Sequence, residues 1–153
     1  MSRIDDLRVR QLDEALLPFA ELRHRPPPSQ GWARTIRETL GISLRQLSER
    51  SGLSKTAVRS AEGNESRGTV QFNSLRTLAE AMDCDLVYAL VPRTSLAESI
   101  RRQAERIASG LVHRVSDSME LEQQGVSSAE NERQIQELTA ELMKDRGRDF
   151  WDV

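Results

Sequence analysis

The side chains best able to do chemistry in this 153-residue chain are its arginines. Lys and Arg number 22 against 24 Asp and Glu, for a formal net charge of −2. Two histidines, His24 and His113, lie far apart with no ligand spacing around them, and Cys84 has no second cysteine, so a metal site is not expected. No glycine-rich loop follows a strand and no G-x-S-x-G elbow is present. The carboxylates fall on helical faces expected to be exposed. These absences predict a protein that is not an enzyme and uses neither cofactor nor metal. What remains is the attraction of cations for phosphate, and the charge distribution supports it. Residues 31–67 carry six Arg and Lys55 against Glu38, Glu49, Glu62 and Glu65, a net +3, while residues 94–153 carry a net −4. Phosphate contacts and counterion release depend on local charge, so the central segment suits DNA within an acidic whole. The acidic last third suits a protein partner.

The segment from Ser43 to Glu62 supplies a geometry for those cations. Ser43-Leu44-Arg45-Gln46 is a capping box that opens a helix running to Ser51. Gly52 stops it as a left-handed residue, and Ser54 is the N-cap of a further helix, Lys55 to Glu62, closed by Gly63-Asn64. Two short helices thus meet across a three-residue turn, with Leu47, Leu53 and Val58 packing the pair and Ser48 as the small residue where they cross. Such a turn projects the first side chains of the second helix into a major groove about 12 Å wide.

The flanking elements must hold that pair. Ile4, Leu7, Leu12, Leu16 and Phe19 recur near a 3.6-residue period, an amphipathic helix within residues 1–25. Pro26-Pro27-Pro28 cannot continue a helix, so residues 26–31 form a stiff linker. Trp32 to Leu40 is a helix with Trp32, Ile36 and Leu40 on one face, and Asn73 to Met82 is another. Asp85-Leu86-Val87-Tyr88-Ala89-Leu90-Val91-Pro92 is a β-favouring run ended by proline, read as a strand over 85–92, with Thr69-Val70-Gln71 as a shorter candidate. Ser95-Leu96-Ala97-Glu98 is a second capping box, opening a helix striped by Leu96, Ile100, Ala104, Ile107 and Leu111. Glu130 to Lys144 is the last helix, followed by Phe150-Trp151 between aspartates. The expected fold is mainly α: a helix-turn-helix bundle over 32–84, one short strand, and flanking helices in 1–25 and 93–153.

On the residues of the turn and its caps, the stretch from 31 to about 82 resembles the lambda-repressor-like (XRE-type) helix-turn-helix family. Adding Pro26-Pro27-Pro28, Gly31-Trp32, Ser74-Leu75-Arg76 and the run from Asp83 to Arg93, nearly the whole chain is similar to the family called mobile mystery protein A. Members of that family resemble antitoxin-like regulators and are typically encoded beside a Fic/Doc-domain protein. The resemblance implies base reading by Lys55, Thr56, Ala57, Arg59 and Ser60, and phosphate contacts by Arg34, Arg37, Ser43, Arg45 and Ser54. It implies a transcriptional regulator, a repressor of its own promoter, bound to double-stranded DNA. The alternative is an antitoxin that neutralises a Fic/Doc-type toxin through residues 94–153, with DNA binding as autoregulation. Two positions depart from the family. Leu44 stands where many relatives have Gln, and Ala61 where most have a larger aliphatic. Neither Glu62-Gly63 nor Glu130-Asn131 is preceded four residues earlier by the Ser or Thr common in inhibitors of Fic enzymes.

A lone strand leaves its backbone groups unpaired, and a single reading head sees few base pairs. Both favour a homodimer on a palindrome, joined through Leu86, Val87, Tyr88 and Leu90. No apolar run approaches the roughly 18 residues of a membrane span, and the early acids Asp5 and Asp6 are unlike a secretory signal. The expected location is the cytoplasm.

Overall fold

The computed structural model describes residues 3–121 and 127–152, which are mainly helical. The chain forms two compact units, residues 21–89 and residues 1–20 with 90–153.

In the first unit the helices are Trp32–Thr39, Leu44–Ser51, Lys55–Arg67 and Phe72–Ala81, here α2 to α5. Each contributes to one core of Ala33, Leu47, Val58, Ala61, Leu78 and Met82, with Ile36, Ile42, Leu44, Leu53, Val70 and Leu75 packed around it. Leu47, Val58 and Leu78 are completely enclosed. Leu44 packs against this core and Ala61 is part of it.

Three expectations for this unit are corrected. The inward face of α2 carries Ala33 and Arg37, while Trp32 and Leu40 are exposed and only Ile36 is half-buried. Periodicity missed this register because a buried arginine reads as polar. Second, α4 does not end at Glu62. It runs through Gly63-Asn64 to Arg67, where Gly68 takes the left-handed conformation at φ 75°. The extra turn places Glu65 where its carboxylate accepts from the backbone N–H of Trp32 and Ala33 at 2.8 and 2.9 Å, capping α2 from another helix. Gly31 makes this possible. Its φ is 83°, and a Cβ there would lie 2.8 Å from the Glu65 carboxylate. Third, no strand occurs among the described residues. Neither 69–71 nor 85–91 joins a ladder, and the backbone of 85–91 makes no backbone hydrogen bond among them. A strand exists only with a partner, and the two candidates do not pair within the chain.

The second unit is built from α1 (Arg3–Leu16), α6 (Leu96–Leu121) and α7 (Ser128–Lys144), with a 3₁₀ turn at Arg148–Trp151. The N-terminal helix gives way at Leu17 to a 3₁₀ segment, Leu17–His24, and does not continue to the prolines as one α-helix. The buried face of α6 is Ala104, Ala108, Val112 and Ser116 with Gln103; Leu111 lies outside. These are mostly small residues, which let α7 approach closely. Ser95 accepts from Glu98 N–H, but the Glu98 carboxylate turns away to Arg101 and Arg102. Asp13 of α1 instead receives the N–H groups of Leu96 and Ala97 at 2.7 and 3.1 Å. Phe150 is buried, its carbonyl accepting from the enclosed Gln103 amide at 2.6 Å, and Trp151 lies edge-on to its ring in solvent.

Candidate nucleic-acid interface

The turn from α3 to α4 is fastened at each residue. Ser43 Oγ accepts from Gln46 N–H at 3.2 Å, and Gln46 Oε1 accepts from Ser43 N–H at 2.8 Å. Gly52 sits at φ 73° and donates to the Ser48 carbonyl. Ser48 is more than a small residue at a crossing, since its hydroxyl donates to the Leu53 carbonyl at 2.6 Å. Ser54 Oγ accepts from Ala57 N–H at 3.1 Å and starts α4. With Leu53 packed inward between them, the first turn of α4 has one orientation relative to α3.

That orientation divides α4 into two faces. Val58, Ala61 and Glu62 point into the protein, while Lys55, Thr56, Arg59 and Ser60 are exposed and Ala57 is half-buried at their edge. Lys55 and Arg59 are one helical turn apart and make no hydrogen bond or ion pair among the described residues. The positive end of the helix dipole adds to them. The structure therefore gathers the five expected base-reading residues on the first two turns of one helix.

The expected phosphate-binding residues fare differently. Arg34 and Arg45 are exposed but engaged by Glu38 at 2.9 Å and Glu49 at 2.7 Å, one turn along their own helices. Such exposed pairs are worth little. Hydrogen bonding to Arg34 holds the Glu38 carboxyl below the ordinary range for a glutamate. The Ser43 and Ser54 hydroxyls serve as caps. Arg37 is corrected outright: it is buried, donating to Glu62 at 2.6 and 3.1 Å and to the Ile42 carbonyl at 3.1 Å. Those bonds to Glu62 raise its pKa above the usual arginine value against the opposing effect of burial. A guanidinium so enclosed holds α2 to α4 and offers nothing to a phosphate.

The sequence reading missed the roles of Glu62 and Glu65, counted there only as charge opposing the cations. All four acids of residues 31–67 are occupied internally, by Arg34, Arg37, Arg45 and the N–H groups of α2. Arg67 donates to Asn64 Oδ1. Arg50, Lys55 and Arg59 remain without partners among the described residues, so the positive charge concentrates at the α3–α4 turn and the exposed face of α4.

Of the residues expected at a dimer strand, Leu86 is half-buried and Val87, Tyr88 and Leu90 are exposed. Tyr88 lies against Phe72, ring centroids 4.8 Å apart. Among the described residues, no helix is long and apolar enough to cross a membrane. No family model, no curated protein and no solved structure matches the chain.

Proposed function

We propose that this protein is a sequence-specific DNA-binding regulator whose residues 43–67 act as a helix-turn-helix, with α4 as the recognition helix. The observation that carries the reading is the exposed first two turns of α4, where unpaired Lys55 and Arg59 stand beside Thr56 and Ser60 on a helix with one fixed orientation. Arg59 reaches a guanine edge with two donors, Thr56 and Ala57 meet a thymine methyl, and Arg34, Arg45 and Arg50 settle on phosphates. The chain acts as a homodimer joined through 85–91, occluding a palindromic operator at its own promoter. Selection from a random duplex pool at moderate salt tests this. The expected result is an enriched palindrome with half-site centres about 10 base pairs apart. Salt-sensitive binding without enrichment contradicts it.

A second reading concerns residues 94–153, which lie in a separate helical unit with its own buried side chains. In it, this unit binds and blocks a Fic/Doc-type toxin and DNA binding supplies feedback. Co-expression with a Fic/Doc-domain protein, followed by size-exclusion chromatography, tests it; failure to associate at micromolar concentration removes it.

A further inference from the structure

Within the unit formed by residues 21–89, a groove of about 250 Å³ opens between the start of α2, the inner side of α5 and the chain just after it. Its floor is apolar: Ile36, Leu75, Ala79 and Met82, with Val87 and the half-exposed Trp32 ring at the sides. Two carboxylates, Glu65 and Asp85, stand in its wall, and no Lys or Arg lines it. Asp85 is exposed and makes no hydrogen bond or ion pair among the described residues. Glu65 is fixed by two α2 N–H groups and keeps further lone pairs for a donor.

We infer that this groove binds a small lipophilic cation, an amine carried on a short apolar body. An apolar floor takes the hydrocarbon, the aromatic face of Trp32 attracts the cationic head, and the two carboxylates neutralise it. An anion meets two like charges, and a neutral ligand gains no attraction from them. The volume lies just below that of drug-sized cavities, roughly 300–1,000 Å³, so the body is about one ring and a short chain. None of the lining residues is on the exposed face of α4, but Asp85, Leu86 and Val87 belong to the segment proposed as the dimer joint, so the inference requires that this joint leave the groove open.

The test titrates the full chain with 3-phenylpropylammonium and, separately, with the neutral 3-phenylpropan-1-ol, by calorimetry and Trp emission. The cation is expected to bind at least about fivefold more tightly than the alcohol. Asp85→Asn is expected to weaken the cation about three- to fivefold, the size of one exposed charge contact, and to leave the alcohol unchanged. Ala79→Leu, which fills the floor, is expected to abolish both, with circular dichroism showing an intact fold. Should Ala79→Leu unfold the chain, Asp85→Asn still decides. Equal binding of alcohol and cation, indifference to Asp85→Asn, or no binding at millimolar concentration overturns the inference. Binding confined to dilutions at which the chain is monomeric also overturns it, because the groove then belongs to a second copy.

Discussion

Between Ser43 and Ser54 the helix ends are closed by residues three or four positions away, whereas α2 begins at a glycine and is capped by a carboxylate 33 residues on. Both arrangements satisfy the same need, since the first N–H groups of a helix have no intrahelical partner. They differ in what they hold together. The local caps fix one turn. Glu65 on α2, and Glu62 on Arg37 one turn before it, tie the inner face of α4 to another helix, so that the outer face is held at a set angle. The lesson is that the residues expected to touch DNA are oriented by residues that do not.

Arg37→Ala leaves the Glu62 carboxylate buried without its partner and is expected to destabilise the protein by about 3–5 kcal/mol in urea unfolding. The double change Arg37→Met with Glu62→Leu is expected to recover most of that loss. A single-variant cost near zero would show that the clasp holds nothing. Next, Glu65→Ala removes two charge-assisted bonds and is expected to cost about 2 kcal/mol, against about 1 kcal/mol for the local cap variant Ser54→Ala. The reverse ranking would make the local turn the stronger fastening. The smallest effect is one of pH on the other unit. Hydrogen bonds from Arg101 and Arg102 hold the half-buried Glu98 carboxyl below the ordinary glutamate range. Its folded pKa is thus depressed, so its contribution is present above the unfolded value and is lost as pH falls through the folded one. Glu98→Gln is expected to flatten slightly the acid limb of stability, followed by circular dichroism below the ordinary glutamate pKa.

The same contrast separates what could be read in the sequence from what could not. The capping box at Ser43, the left-handed Gly52 and the cap at Ser54 are local signals, and each stands as expected. The length of α4 was misjudged because Gly63-Asn64 looks like a stop, while Gly68 takes that role and the turn between them is needed by α2. The phosphate role that the resemblance implies for Arg37 fails on a carboxylate 25 residues away in sequence, folded against it where no local signal shows it. The stripe on α6 was misread at Leu111 because its core face is made of small residues, which carry little hydrophobic signal. The run Asp85–Pro92 has strand composition without a strand partner among the described residues, and composition alone cannot supply the second strand.

In the proposed function Arg59, on the exposed face of α4, reads a base. Selected duplex pools should be compared for the parent chain and Arg59→Ala, with affinity measured on the enriched site. The account predicts a loss of about 1–3 kcal/mol and relaxed preference at one position per half-site, with thermal stability unchanged. An unchanged sequence preference would contradict it.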